Sequence, residues 1–563
     1  MKLAPVVSAL AVALATPAFA SPPAQILVDM VDDTDDADEA ALEAKLDGLD
    51  LRLNSIHAAD ERFFIADVDP SRLQDYLDRL KGDPRVEHAE PNFIYGLPEN
   101  EMAQTFEMNA APTRGPKPPN DPLWDKQWSF RMIDVQSAWE TTQGEGVVVA
   151  VIDTGVAFED HKKFKQVEDL AGTQFVTGYD FIKDTEHPND DHGHGTHVAG
   201  TIAQTTNNGV GVAGIAPKAK IMPLKVLSKY GSGSAADIAD AIRFAADEGA
   251  HVINMSLGGG MRSFVMQSAV AYARKKGVVV VCAAGNTGRG KVEFPAAYPG
   301  SFAVSSVGPS KKKAYYSSYG KQIAVSAPGG DKQSHGEEGG ILQNTITPNA
   351  PGNPKQYLSF QGTSMAAPHV AGVAALVIGA GVTDPSKVEA ILKDTATSVG
   401  GSWNNEYGHG IVNAGAAVTA AKSAKSGLWA YLSGLLAFGA FFIGQRKKLA
   451  GLGLAGAAGA VLATPMANLD LLAFGPTFHF SALWASAVPM FVATVLLLGV
   501  KRLRGVLIGL SVGWAAYLGL SAICMPADVL FIPGVASVLD RAWLLINAGA
   551  LTMLALVTAR VRR

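Results

Sequence analysis

The alternation of apolar and polar positions changes character several times along the 563 residues. Lys2 precedes a mostly apolar stretch from Leu3 to Ala15, followed by Thr16-Pro17-Ala18-Phe19-Ala20. A charged start, a short apolar core and a small-x-small end predict a secretory signal peptide over residues 1–20, cut after Ala20. The core is too short for a membrane span of roughly 20 residues. Residues 21–97 then read as a small α/β unit of βαββαβ order. Ile26 to Met30, Leu51 to Ile56, Phe63 to Val68 and Val86 to Tyr95 carry strand patterns, and Leu42, Leu46 and Leu49 share one helical face. Asp69-Pro70 opens a second helix with Leu73, Tyr76, Leu77 and Leu80 on one stripe. Residues 98–120, rich in Pro, Asn, Ala and Gly with no apolar period, read as an exposed linker open to proteolytic cutting.

Residues 121–425 alternate short apolar runs with helical patterns. Val147 to Ile152, Lys220 to Val226, Val252 to Asn254, Val278 to Ala283 and Phe302 to Val307 read as strands; Ala235 to Glu248 and Met266 to Lys276 read as helices. Such alternation predicts a mainly parallel sheet covered on both faces, with any ligand beyond the carboxyl ends of the strands. Residues 426–563 change again. Leu428 to Gly444, Leu449 to Thr464, Leu483 to Val500, Val506 to Cys524 and Trp543 to Ala559 are almost free of charge, and five such segments in succession predict an all-α transmembrane domain. The basic clusters Arg446-Lys447-Lys448, Lys501-Arg502-Leu503-Arg504 and Arg560-Val561-Arg562-Arg563 follow the first, third and fifth segments. With a signal peptide ahead, that spacing predicts five spans, residues 121–425 outside the cytoplasm and a cytoplasmic C terminus.

Composition adds limits. The length calls for several domains, and the net charge of -5 with dispersed basic residues gives no reason to expect nucleic acid as a partner. The two cysteines, Cys282 and Cys524, fall in a soluble and a membrane part, so no disulfide is expected; Cys282 reads as a small buried residue.

The chemistry concentrates in three motifs. Asp153 ends the apolar run Val147 to Ile152 and is followed by Thr154-Gly155. His194 opens His194-Gly195-Thr196-His197-Val198-Ala199-Gly200. Ser364 lies in Gln361-Gly362-Thr363-Ser364-Met365-Ala366-Ala367-Pro368-His369, where a helix of small residues begins. A serine hydroxyl is a weak nucleophile and needs a base, with a third group to orient that base. The order Asp, His, Ser at these motifs resembles the subtilisin-like serine proteases (subtilases) and differs from the chymotrypsin and α/β-hydrolase orders. A metal cluster around His194 with His187, His192 and His197 is the competing reading, but no H-E-x-x-H or cysteine ligand set accompanies it.

The resemblance covers residues 121–425, ending at Tyr407-Gly408-His409-Gly410-Ile411-Val412-Asn413. It implies a subtilisin-like α/β fold and a serine endopeptidase with Asp153, His194 and Ser364 as triad. Asn286, in Ala283-Ala284-Gly285-Asn286, matches the family's oxyanion-hole donor, and Gly231-Ser232-Gly233 and Ser256-Leu257-Gly258 match its two substrate-flanking segments. It further implies that residues 21–97 are a propeptide that chaperones and inhibits, with a processing site in 98–120. No cofactor is implied for catalysis. A structural calcium is implied by Asn207-Asn208-Gly209-Val210-Gly211-Val212, with Asn208, Val210, Val212 and Asp121 as ligands. Against it, Lys163 in His161-Lys162-Lys163-Phe164 stands where many members carry the ligand aspartate. No acidic residue stands out in the substrate segments, so broad specificity with a mild preference for an apolar residue before the scissile bond is expected. The expected partners are peptide or protein substrates, the chain's own propeptide and a lipid membrane. The alternative is a membrane channel, transporter or sensor with the protease-like part as a regulatory module, which the lack of paired ionisable residues in the apolar segments disfavours.

Overall fold

The computed structural model describes residues 24–59, 61–97, 104–105, 118–348, 350–423, 488–497, 507–508, 510–512, 514–515, 518–519 and 536–560. The signal-peptide stretch and most of the linker lie outside them. A first unit consists of β1 (Ala24–Met30), α1 (Asp36–Lys45), β2 (Arg52–Leu53), β3 (Phe63–Val68), α2 (Leu73–Leu80) and β4 (Val86–Pro91). Its antiparallel sheet is ordered β2-β3-β1-β4. Alternation along β1 gives the sheet two faces: Ile26, Val28 and Met30 pack with Leu42, Leu46, Tyr76 and Leu80 of the two helices, while Leu27, with Phe63, joins the core of the larger unit. Helix α1 starts at a reciprocal capping box between Asp35 and Asp38. Two expected strands differ. The run from Leu51 shortens to β2 because Ser55 accepts the His57 N–H and turns the chain. The run from Val86 breaks at Asn92, after which β5 (Ile94–Gly96) leaves this sheet altogether.

The larger unit carries β6 (Gln104–Thr105), α3 (Trp128–Met132), α4 (Val135–Trp139), β7 (Val148–Asp153), β8 (Gln174–Phe175), β9 (Tyr179–Asp180), α5 (His194–Ala203), β10 (Lys220–Lys225), β11 (Ser232–Ser234), α6 (Ala235–Asp247) and β12 (Val252–Met255). It continues with α7 (Phe264–Lys275), β13 (Val279–Ala283), β14 (Ser301–Val307), β15 (Ile323–Pro328), α8 (Lys332–His335), β16 (Ile341–Thr345), β17 (Gln356–Phe360), α9 (Thr363–Gly379) and α10 (Pro385–Asp394). Its main sheet runs β15-β14-β13-β12-β7-β10-β8, with β9 also on β10, and every pairing in it is parallel. Buried on both faces, the strands divide their side chains by parity. Val149, Val151, Val279 and Val281 pack towards α5 and α9; Ala150, Ile152, Val280 and the buried Cys282 pack towards α6 and α7. The α/β expectation for residues 121–425 therefore holds, and β7 and β13 direct their carboxyl ends, Asp153 and the Ala284-Gly285-Asn286 turn, to one edge of the sheet.

Of the five apolar tail segments, 428–444 and 449–464 lie outside the described residues. Helix Val488–Leu497 lies within the third and helix Ala536–Arg560 spans the fifth. Among the described residues no helix is long and apolar enough to cross a membrane, so the five-span expectation gains no support from the fold.

Candidate active site

Asp153 ends β7 with no exposure, and His194 is the first residue of α5, also fully buried. The His194 Nδ1 lies 2.7 Å from Asp153 Oδ1. The same oxygen accepts the Thr154 N–H at 2.7 Å. The approach depends on Gly195, where a side chain would run into the Gly155 carbonyl and Asp153 Cβ. Asp190 fixes the entry to α5: its two oxygens accept the N–H groups of His192, Gly193 and Thr196 and the hydroxyls of Thr154 and Thr196. On the neighbouring strand Lys225, fully buried, donates to the Thr154 and Leu227 carbonyls at 2.6 and 3.0 Å and to Asp191 at 2.7 Å. Its charge is compensated by these three oxygens, which tie the turn after Asp153 to β10.

Ser364 is the second residue of α9, and α9 packs directly on α5. Pro368 sits one turn further along the helix and has no N–H, so the Ser364 carbonyl is released from the helical ladder. The Ser256 hydroxyl takes that carbonyl at 2.8 Å, while the Ser364 hydroxyl donates to the Ser256 carbonyl at 3.2 Å. Asn286 Oδ1 accepts both the N–H and the hydroxyl of Thr363, at 2.9 and 2.8 Å. Because a backbone N–H can only donate, the amide oxygen faces Thr363 and the NH2 group is left to donate elsewhere. The Thr363 hydroxyl also receives the Gly285 N–H at 3.1 Å, locking the Asn286 turn to the start of α9. Two further histidines support this packing in neutral form. Burial pushes His197 down to about 3 and His369 to about 4; His197 stacks on Phe360 and His369 bonds the Met365 carbonyl at 2.7 Å.

The two flanking segments already hold a strand. β5 pairs antiparallel with β11, Gly96 opposite Ser232. On its other edge Gly96 exchanges both backbone bonds with Gly258, at 3.1 and 2.9 Å, and the Leu97 N–H reaches the Gly231 carbonyl at 2.8 Å. The chain's own residues 94–97 thus lie as a middle strand between the 231–233 and 256–258 segments. Tyr95, 1% exposed, packs its ring against Gly259 and donates its hydroxyl to the Met261 carbonyl at 2.6 Å. Glu90 accepts the Phe264 N–H at 2.8 Å and the Ser263 hydroxyl, at the start of α7, a charge placed where a helix N-terminus favours an anion. Arg243 of α6 meets Glu61.

The residues expected to hold calcium converge, with one correction. Asp121 accepts the N–H groups of Asn207 and Asn208 at 2.9 and 3.2 Å. Val210 donates its N–H to Asn208 Oδ1 at 2.9 Å. Lys163 does not enter the site: it is exposed, with its ammonium over the Phe164 ring. The second carboxylate is Asp169, which accepts the Asn208 amide and the Val212 N–H, both at 2.8 Å. Burial, helped by the charges of Asp121 and Glu168, pushes Asp169 up to about 7, and burial raises Asp121 as well. Two buried carboxylates crowding one another beside an amide fit a hard cation. The metal alternative for His194 finds no support. Among the described residues the trio with metal-ligand spacing is Glu159, His161 and His187, and the ring of His197 is spent on the Ile341 carbonyl at 2.9 Å.

The residues that sequence reasoning singled out lie at this edge of the sheet, with Asp153 against His194, Ser364 at the start of α9 and Asn286 against Thr363; it did not single out Thr363, Asp190, Lys225 or Asp169. A lysine inside the apolar run Lys220 to Val226 was the one available signal, since a strand buried on both faces admits a charge only where it is paired.

Comparison with known proteins agrees with this geometry. The profile of the subtilase family matches residues 144–410. Thermitase of Thermoactinomyces vulgaris is 40% identical over 301 residues, covering 53% of this chain and 99% of that protein. Subtilisin Savinase of Lederbergia lenta is 41% identical over 295 residues, covering 52% of this chain and 97% of that protein. The crystal structure of fervidolysin from Fervidobacterium pennivorans, a keratinolytic enzyme related to subtilisin, superposes with a TM-score of 0.58 at 28% identity, covering 70% of this chain and 61% of that one. With 97% or more of two such relatives covered, and the family profile matching residues 144–410, which hold the Asp–His pair, the chain belongs to the subtilase family and is a subtilisin-like serine endopeptidase.

Proposed function

We propose that Asp153, His194 and Ser364 form the catalytic triad of a protease made as a zymogen and held at a membrane. The observation that carries the reading is the pairing of His194 with Asp153 at 2.7 Å beside a cleft filled by the chain's own residues 94–97. In catalysis the Ser364 hydroxyl attacks the scissile carbonyl and passes its proton to His194. Asp153 holds the ring with Nδ1 as donor and stabilises the imidazolium. Collapse of the tetrahedral intermediate expels the amine, which takes the proton from His194, and water then releases the acyl group by the same relay. The Asn286 NH2 and the Ser364 N–H, a donor in the first turn of α9 where helical partners are lacking, serve the oxyanion.

The seated strand supports residues 21–97 as an inhibitory propeptide, because substrate peptides would add to the same two edges by main-chain pairing. Its removal by cutting within 98–120 opens the cleft. Asp121, Asp169, Asn208, Val210 and Val212 supply a structural calcium site whose charge relieves the two carboxylates. Membrane attachment through residues 426–563 rests on the five apolar segments and their basic flanks. The exposed faces Phe491, Val492 and Val495 and Leu545, Ile546, Met553, Leu556 and Val557 agree with that surroundings. The test is labelling of the exported full chain with a fluorophosphonate. One serine should be modified and residues 21–97 released, and Ser364→Ala should lose both; labelling that survives Ser364→Ala refutes the assignment.

A further inference from the structure

The cleft has a charged feature that its flanking segments did not announce. Residues 256–259 form one wall, and the turn 284–286, tied to Thr363, forms the other. The two join at residues 293–294: the Glu293 N–H donates to the Ala284 carbonyl at 3.0 Å, and Phe294 exchanges both backbone bonds with Gly259, at 2.9 and 3.0 Å. The Glu293 side chain rises between them against two glycines. A Cβ at Gly258 would stand 2.5 Å from Glu293 Oε2, and one at Gly285 would stand 2.8 Å from Oε1. Only residues without side chains leave room for that carboxylate, which is part-buried and among the described residues has no hydrogen-bond partner, the Lys291 charge being its nearest electrostatic influence. Burial raises Glu293 above the usual carboxylate range, opposed by the charge of Lys291 nearby.

The seated strand fixes what meets this group. Gly96 lies opposite Gly258. In antiparallel register a substrate residue two positions further along falls opposite Ser256, whose carbonyl receives the Ser364 hydroxyl. That residue carries the carbonyl to be attacked, and the space beside it is bounded by the 256–259 and 284–286 walls. We infer that Glu293 forms the floor of the pocket for the residue before the scissile bond, and that this protease selects arginine or lysine there. The expectation of a mild apolar preference gives way to a cationic substrate class. A part-buried carboxylate lacking a partner is costly until a guanidinium or ammonium supplies one, and an apolar side chain in the same pocket would leave it unpaired.

The inference rests on the triad reading above, and one experiment separates the two. The matured enzyme obtained from the full chain is assayed on peptide p-nitroanilides that differ only in the residue before the cut: Arg, Lys, Leu or Phe. Wild type should favour Arg and Lys in kcat/KM by about 10- to 100-fold over Leu. Glu293→Gln should bring that ratio near one, with the loss in kcat/KM falling on the Arg and Lys substrates. Independently of any variant, benzamidine should compete with fluorophosphonate labelling of wild type. A preference of wild type for Leu or Phe, or an equal loss on all substrates in Glu293→Gln, overturns the inference and leaves the triad standing. Failure of labelling together with failure to cleave any substrate overturns both.

Discussion

Tyr95 offers the sharpest test of the inhibited state, because its side chain lies outside the core of its own unit and inside the other. The ring is 1% exposed, packed against the Gly259 face, and its hydroxyl bonds the Met261 carbonyl at 2.6 Å. Burying a tyrosine removes roughly 150–250 Å² from water, worth about 4–6 kcal/mol at 25 cal/mol/Å². Ordering the side chain and the tail costs part of that, and the hydrogen bond returns about 1 kcal/mol net. A net loss of about 3 kcal/mol is therefore expected for Tyr95→Ala, or roughly a hundredfold weaker inhibition, against about fivefold for Tyr95→Phe. The assay adds residues 21–97, made as a separate chain, to the matured enzyme and measures the inhibition constant on a small chromogenic peptide. Neither substitution touches the Ile26, Val28, Leu42 and Tyr76 core of the unit, so folding of the inhibitor is unaffected. Inhibition by Tyr95→Ala within twofold of wild type would refute the seating of this strand in the cleft, and equal effects of the two variants would refute the division between ring and hydroxyl.

Four further outcomes are expected. Asn286→Ala should lower kcat by about 10² to 10³ with little change in KM; an unchanged kcat removes it from the oxyanion hole. On the descent from about pH 6.5 towards 4 the Ser364→Ala protein should lose the stability tied to His197 and His369, which are held neutral in the fold, while protonation of the raised Asp169 carboxyl opposes that loss. Each depressed histidine withdraws up to about 1.4 kcal/mol per pH unit on that descent, and His369→Gln should lessen the slope; a slope that His369→Gln leaves unchanged contradicts the account. Calcium chelation should lower the melting temperature of Ser364→Ala, and Asp169→Asn should abolish that response; equal responses in both would exclude Asp169. Finally, Arg114 and Lys117 are the basic residues of 98–120, and Lys117 precedes Pro118. A protease cutting after Arg or Lys should therefore mature by cutting after Arg114, and N-terminal sequencing that starts anywhere but Gly115 argues against self-processing by that rule.

What the sequence made legible has a common physical basis. The placement of Asp153, His194 and Ser364 was readable because each sits at a local device: a strand end, a helix start with Gly195 beside it, and a first turn freed by Pro368. Those devices involve residues adjacent in the chain, so they leave motifs. The parallel sheet was readable for the same reason, as two-sided burial makes strands such as Val279–Ala283 continuously apolar. Asp169 was hidden because its approach to Asn208 bridges 39 positions with no motif of its own, whereas Lys163, which does lie in a motif, turns out to solvent over Phe164. The split of the Val86 to Tyr95 run was hidden because the second half finds its partner in Ser232–Ser234, and a period-2 pattern does not say which sheet a strand joins.

Glu293 belongs to the hidden class, and its case shows where specificity resides in such a cleft. The main-chain edges at 231–233 and 256–258 hold any extended peptide, so they cannot choose among side chains. Choice falls to whatever closes the gap between the two walls, and that residue is supplied by the segment pairing with both, at Ala284 and Gly259. A glycine pair at 258 and 285 is then a necessary companion of a carboxylate at 293, because a Cβ at either would collide with it. The dependence runs one way: the glycines alone permit many floors, but a glutamate floor tolerates nothing larger on either wall. Gly258→Ala, at a position without a left-handed backbone, should accordingly impair cleavage after Arg more than after Leu, since the added methyl displaces the carboxylate before it blocks the pocket. Equal losses on both substrates would place Glu293 elsewhere than between the walls.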